Sequence, residues 1–325
     1  MRKMNNLEYS FIIAELSPLV IDKHFSRIRK IDDRSYRMKI GNIEIICELG
    51  IRLHKTKYLE ESELTDKFVQ KIEKELDNAK LLSIEQIAKD RIVSFNFNKG
   101  KLIFEMFGNG NAILVLDGKT VTASKYESWA GREIKPGSEY NPPTNTPSDD
   151  FVVSDKYIIV SLMKLPLGKE YALEALELAN INERTSGTSL TKTQLSLLVN
   201  EVSNIRKSMT PCLFYKNSKP VDFCLCKMKQ YNDLECRVFP TLSDALDEYY
   251  SNLEQPNLEF EKLEKRLEKQ YQHRESLVGE EKSNKEIGDY LYAHYDKIEE
   301  LITLAKQDQD KYKVNKKEKS FEIEL

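Results

Sequence analysis

At 325 residues the chain exceeds the ~100–200 residues of a single domain and has room for two or three units with their own cores. Hydrophobic residues make up 40% and charged residues 32%, the balance of a folded protein whose surplus charge sits on water-facing helices. Fifty basic against 53 acidic residues give a formal net charge of −3, which excludes an overall basic nucleic-acid binder and leaves only local patches.

In chain order, apolar residues at Leu7, Phe11, Ile12, Leu16, Leu19 and Val20 follow the helical period and predict a helix over 7–21. Phe25 to Ile31, Ser35 to Ile40 and Ile43 to Cys47 are short, partly β-branched and separated by Asp-Asp and Gly-Asn turn signals, as in an antiparallel meander. Gly50 and Arg52 follow it. Phe68, Val69, Ile72, Leu76 and Ala79 predict a second helix over 66–81. Arg91 to Phe97, Lys101 to Phe107 and Ala112 to Leu116 give the clearest strand signal, joined through Asn98-Lys-Gly100 and Gly108-Asn-Gly-Asn111.

Between Glu139 and Asp150, Pro142, Pro143 and Pro147 stand among Asn, Thr, Ser and Asp, a composition that predicts a boundary. Short helices are expected over 158–162, 169–179 and 191–205, strands over 221–227 and 234–238, and a helix over 242–253 whose start is marked by Thr241 and Ser243. After Pro256, the runs Phe260 to Leu277 and Ile287 to Ala305 alternate spacings of three and four. They predict two helices of a short antiparallel coiled coil; the competing reading is an ordinary helical hairpin on the body. The expected fold class is α+β, in four parts: a mixed helix and antiparallel-sheet domain over 1–150, a helix-hairpin-helix module over 151–206, a small mixed unit over 207–253, and a helical arm with a terminal strand over 254–325.

The opening Met1-Arg2-Lys3 leads into no long apolar run, and no stretch of ~18 apolar residues occurs, so neither a signal peptide nor a membrane span is expected and the cytoplasm is the default compartment. Cys47, Cys212, Cys224, Cys226 and Cys236 lack zinc-knuckle spacing and read as buried reduced thiols. His24, His54, His273 and His294 are scattered and read as surface residues. No catalytic residue, metal site or cofactor is expected from this pattern.

Asp90-Arg91 through Asp117, including Glu105-Met-Phe-Gly-Asn-Gly-Asn-Ala-Ile-Leu-Val-Leu-Asp, resembles the first domain of the NFACT family, the fibronectin-binding-A-like or NEMF/RqcH proteins. Gly131-Arg-Glu-Ile-Lys-Pro-Gly-Ser-Glu-Tyr-Asn-Pro-Pro143 is similar to the close of that domain. Leu165-Pro-Leu-Gly-Lys-Glu-Tyr-Ala-Leu-Glu174 resembles the family's helix-hairpin-helix entry, and Phe239 to Tyr250 and Ile287 to Ala305 flank its arm. The resemblance covers nearly the whole chain, points to an archaeal or bacterial member, and does not extend to the family's further NFACT-R domain. It implies a glycosylase-like outline for the first domain. It further implies a non-enzymatic ribosome quality-control factor that binds the large ribosomal subunit with its stalled nascent chain and recruits aminoacyl-tRNA, alanyl-tRNA being expected, for C-terminal tailing.

Within the resemblance, Asp90-Arg91 matches the pair that engages tRNA: a guanidinium grips phosphate or stacks on a base while the carboxylate orients it. Without that context an adjacent Asp-Arg reads as a strand-start salt bridge. Glu8 stands where the family commonly has Asp, and Asn109 where the turn after Gly108 often carries a cation. Arg132 and Lys135 near Trp129 suggest a stacked base with a held backbone, against a core Trp with surface charges. Arg27 with Arg29, and Arg37 with Lys39, have the spacing that puts each pair on one strand face, a candidate RNA patch. Lys311 to Lys319 form a basic tail. Self-association through the arm is open. The alternatives are a non-catalytic relative of DNA glycosylases, which lacks their N-terminal Pro and four-cysteine finger, a surface adhesin, which lacks an export signal, and a coiled-coil docking scaffold.

Overall fold

The first helix is fixed by its own start. The Asn5 side chain accepts from the Glu8 N–H at 3.1 Å, and the Glu8 carboxylate accepts from the Asn5 N–H at 2.8 Å, a reciprocal capping box. It opens α1, Asn6–Val20, and the helical period buries Leu7, Phe11, Ile12, Leu16 and Val20. The computed structural model describes residues 1–59, 66–129, 131–144, 147–254 and 258–307. It divides into two units, Met1–Glu254 and Gln255–Leu325.

Within the first unit, β1 (Phe25–Lys30), β2 (Ser35–Ile40), β3 (Ile43–Glu48) and β4 (Arg52–Lys55) form an antiparallel sheet in chain order. α2, Lys67–Glu75, is capped by Asp66 and ends earlier than its apolar period suggests. Asn78 turns left-handed at φ 51°, and Leu81–Gln86 leaves as β5 instead of continuing the helix. β6 (Ile92–Phe97), β7 (Gly100–Glu105), β8 (Asn111–Leu116) and β9 (Lys119–Ala123) complete a five-stranded meander with β5.

Strand alternation gives this second sheet two apolar faces. Val93, Phe95, Leu102, Phe104, Ala112 and Leu114 join the main core, where α1 packs against β4 and β5. Ile92, Ile103, Ile113 and Val115 form a smaller core with Ile134, on the hairpin of β10 (Glu127–Trp129) and β11 (Arg132–Ile134).

Helices α3 (Ile158–Leu162), α4 (Lys169–Leu178) and α5 (Lys192–Lys207) fall where the period placed them. α5 starts at a Thr191/Gln194 capping box. β12 (Cys212–Lys216) lies between β13 (Lys219–Cys224) and β14 (Glu235–Val238), and α6 (Leu242–Glu254) packs on β12, β13, β4 and α1. All five cysteines are free thiols. Of the four histidines expected at the surface, His54 is an exception. It is fully buried against Tyr250 with ring centroids 6.2 Å apart, and burial pushes its pKa down to about 3.

The second unit holds α7, Leu258–Ala293, and α8, Tyr295–Gln307. This corrects the expected antiparallel pair: residues 278–286, where the turn between the two helices would lie, are helical. Gly279 and Gly288 sit inside the helix, each a cost of only ~1 kcal/mol, and no Pro interrupts it. The expected terminal strand and the Lys311 to Lys319 tail lie outside the described residues.

Candidate nucleic-acid interface

The link from β5 to β6 is a strained turn held from outside. Ala88 and Lys89 are consecutive left-handed residues, φ 51° and 55°, and neither is glycine. Each carries a steric cost of about 1–2 kcal/mol, so neighbouring groups must hold the conformation. Gln86 Nε2 donates to the Asn6 carbonyl at 2.8 Å and to the Asp90 carbonyl at 3.0 Å. Asn6 Nδ2 donates back to the Lys89 carbonyl at 3.0 Å and to Asp90 Oδ1 at 3.2 Å. Lys89 Nζ forms an ion pair with Asp149. The first turn of α1 is thereby stitched to the residues immediately before β6.

That turn presents Asp90 and Arg91, both half-buried. Asp90 Oδ1 accepts the Arg91 N–H at 2.7 Å, and the Arg91 carbonyl accepts the Met106 N–H at 2.7 Å, so the backbone is fixed on both sides. The Arg91 guanidinium makes no hydrogen bond or ion pair with any of the described residues. It lies near Tyr9, whose buried hydroxyl has no hydrogen-bond partner among them. Burial holds the Tyr9 phenol well above its usual pKa, and the charge of Arg91 partly opposes that shift. Asp90 and Arg91 are thus not paired through their side chains: the acid braces the turn and the base makes no hydrogen bond or ion pair among the described residues.

Glu8 sits elsewhere in the chemistry. Its side chain is fully buried, and its oxygens accept from Arg2 Nη2 at 2.5 Å, Arg2 Nη1 at 3.2 Å, the Asn5 N–H and the Tyr171 hydroxyl at 2.9 Å. Burial raises its pKa and the adjacent Arg2 opposes the rise. As an RNA contact this residue is corrected: it faces no solvent. It anchors Arg2, which also pairs with Asp222 at 2.6 Å and lies over the Phe223 ring. The Asn5-x-x-Glu8 spacing signals the cap in the sequence, while the Arg2 and Tyr171 partners come from folding.

The Gly108 to Asn111 turn packs on the β3–β4 turn at a very close approach. A Cβ on Gly110, φ 66°, would lie 2.6 Å from the Gly50 nitrogen, and one on Gly50, φ 76°, would lie 2.7 Å from the Gly108 carbonyl oxygen. Asn109 is exposed at the tip. The charge it lacks arrives from Lys125, whose Nζ donates to the Asn109 and Gly110 carbonyls, each at 3.1 Å. Asn111 holds Lys125 in place, donating to its carbonyl at 2.9 Å and accepting its N–H at 3.1 Å. Nothing in the spacing of Lys125 to Asn109 would reveal this.

Arg132 is spent on structure. It pairs with Glu105, which is 1% exposed, donates from Nε to the Asn141 carbonyl at 2.6 Å, and lies near the Trp129 and Tyr140 rings. Tyr140 donates to the same Glu105 at 2.9 Å. Trp129 is 48% exposed, so it is not a core residue, and Lys135 is exposed and paired with Glu133 at 2.7 Å. Ile92 faces Glu105 across the ladder, so by alternation Arg91 lies on the opposite face of the sheet from the Arg132 clamp.

On the four-stranded sheet, Arg27 lies opposite Lys39 and Arg29 opposite Arg37, so the pairs do share a face. Glu44 neutralises much of it, within 3.2 Å of Arg27 and 3.6 Å of both Arg37 and Lys39. Arg37 is buried, which corrects it as a direct RNA contact, whereas Arg29 is exposed. Among the described residues no group of three or more His, Cys, Asp and Glu is placed to hold a metal, and no helix is long and apolar enough to cross a membrane.

The chain also has relatives among known proteins. The family model for NFACT N-terminal and middle domains matches residues 9–324. The archaeal Rqc2 homolog aRqcH of Methanocaldococcus jannaschii is 26% identical over 95% of this chain and 53% of its own length. Ribosome quality control complex subunit 2 of Schizosaccharomyces pombe is 24% identical over 70% of this chain and 24% of its own. Thus the chain spans about half the length of the first of these relatives and less of the second. In fold, it is similar to the N-terminal part of the fibronectin/fibrinogen-binding protein from Streptococcus suis, with a TM-score of 0.61 and 20% identity over 77% of this chain and all of that one.

Proposed function

We propose a function from one premise: the chain belongs to the family of NFACT N-terminal and middle domains. Its relatives are named as ribosome quality-control factors, and the reading is that this chain works in the same process as an RNA binder without catalytic chemistry of its own. It engages tRNA at Asp90-Arg91 and docks on the large ribosomal subunit, so that aminoacyl-tRNA, alanyl-tRNA in the first instance, reaches a stalled nascent chain. Peptide bond formation in that scheme belongs to the ribosome.

The observation that carries the reading is the Arg91 guanidinium, which makes no hydrogen bond or ion pair among the described residues and stands on a turn that is strained and braced. A charge-assisted, bidentate bond to a phosphate is the interaction such a group lacks and an RNA supplies. Asn109 and Lys125 supply a polar tip with one cation on a neighbouring turn. The test is binding of purified protein to total tRNA and to isolated large subunits across a salt series, with Asp90→Ala and Arg91→Ala checked for folding. Expected are salt-dependent tRNA binding weakened by both substitutions and subunit binding largely retained. Absence of binding to either RNA at low salt would overturn the reading in favour of a protein-docking scaffold.

A further inference from the structure

The second unit carries a heptad seam in one unbroken register. Counting in sevens from Leu267 gives Arg274, Glu281, Gly288, Tyr295 and Ile302; counting from Gln270 gives Leu277, Asn284, Leu291, Ile298 and Ala305, the last already buried. These are the two core positions of a heptad running through α7 and α8. The register survives the junction at His294 because the helical ladder does: the His294 N–H bonds to the Tyr290 carbonyl at 3.1 Å and the Ile298 N–H to the His294 carbonyl at 3.0 Å. Leu267 is 52% exposed, Leu277 50%, Leu291 46% and Tyr295 63%. A seam of this length, with its leucines in water, calls for a matching helix.

We propose that the match is a second copy of this chain, paired antiparallel through α7 and α8 about a two-fold axis near Gly279. The polar seam positions select this arrangement. In a parallel, in-register pair Arg274 meets Arg274 and Glu281 meets Glu281, stacking like charges in the core. In an antiparallel pair each core position faces one of the other kind. A two-fold axis near Gly279 sets Leu267 against Leu291 of the second copy, Arg274 against Asn284 and Gln270 against Gly288, so that only Leu277 and Glu281, which meet in two symmetry-related layers, pair an apolar with a charged side chain. Val278, 55% exposed, falls beside the axis next to its own copy. Sliding by one heptad adds mixed layers, Arg274 against Leu291 and Gln270 against Tyr295 in one direction, Arg274 against Leu277 and Leu267 against Asn284 in the other.

The test is a charge swap read by sedimentation equilibrium of the full chain without RNA, so its outcome is independent of the tRNA reading. The wild type is expected to be dimeric at tens of micromolar. Leu267→Lys and Leu291→Glu, each placing a lone charge on a leucine in two layers, are each expected to raise the dimer dissociation constant by about a hundredfold. The double variant L267K/L291E restores the dimer, because each introduced lysine then meets the introduced glutamate of the other copy. All variants sit on exposed helix positions and are checked for helicity by circular dichroism. A wild type that stays monomeric at ~100 μM, a dimer that survives Leu291→Glu, or a double variant that fails to reassociate each overturns the proposal.

Discussion

Two arginines in the first unit look alike in sequence and differ in the fold. Arg91 and Arg132 each have a carboxylate nearby in sequence, Asp90 and Glu133, and each ends beside a tyrosine. Arg132 pairs with a different acid, Glu105, gives a hydrogen bond to the Asn141 carbonyl, and is flanked by Trp129 and Tyr140, so its Nε and Nη2 serve the closing of a small hydrophobic core. Arg91 has a neighbour that bonds its backbone instead, and its guanidinium remains without a hydrogen bond among the described residues. A cation serves recognition only when the fold has not already matched it. The unspent arginine is therefore the better candidate for a ligand contact, and the spent one a determinant of stability.

Arg132→Ala tests the spent side and should give the largest effect. It strips a nearly buried carboxylate of its counter-charge, a change that costs about 3–5 kcal/mol, measured by urea unfolding. tRNA affinity of the folded fraction should stay within about twofold of wild type. If Arg132→Ala leaves stability untouched and abolishes RNA binding, the division between the two arginines is wrong.

Arg91→Ala is the mirror experiment. Stability should move by no more than about 0.5 kcal/mol, while loss of charge-assisted phosphate bonds worth about 1.5–3 kcal/mol weakens tRNA binding roughly 10–150-fold. Arg91→Lys sharpens the result: a point charge restores part of the affinity, and full restoration would argue against a bidentate grip.

The difference between the two arginines was only partly legible in the sequence. The apolar periods place α1, the three strands β1 to β3, the central strands β6 to β8 and helices α3 to α6, because each has a local cap, turn or alternation. β5 is hidden because Leu76, Ala79 and Leu81 continue the helical period past Glu75, and only the left-handed Asn78 ends the helix. β4, Arg52-Leu-His-Lys, carries charges that find partners 4 residues away at Glu48 and far away on α6, and β12 is buried on both faces and shows no alternation. The pair Asp90-Arg91 is located by resemblance alone. Which acid meets which base was not readable: Glu8 is claimed by Tyr171, Arg132 by Glu105, and Arg37 by Glu44, all contacts made by the fold.

Ala88→Gly tests whether strain in the turn matters to the unspent arginine. Glycine accepts φ 51° without steric cost, so the protein should gain up to about 1 kcal/mol by thermal unfolding, offset in part by glycine's larger unfolded-state entropy. A looser turn presents Arg91 less uniformly, so tRNA affinity should drop a few-fold even as stability rises. A stabilised variant with unchanged affinity would show that the strain has no part in binding.

The smallest expected effect separates two roles for Lys125. Its ammonium closes the turn at Asn109 and Gly110, and a group with three donors can hold two carbonyls and still direct charge outward. Lys125→Gln keeps much of the hydrogen bonding and removes only the charge. If Lys125 faces a phosphate, the substitution weakens tRNA binding about 2–5-fold and lowers the slope of log affinity against log salt by ~0.7–0.9, the loss of one released counterion. If it is only a clamp, unfolding midpoints shift and the salt slope does not. Placed beside Arg91→Ala and Arg132→Ala, the slope then ranks three cations by how much of their charge the fold has left to RNA.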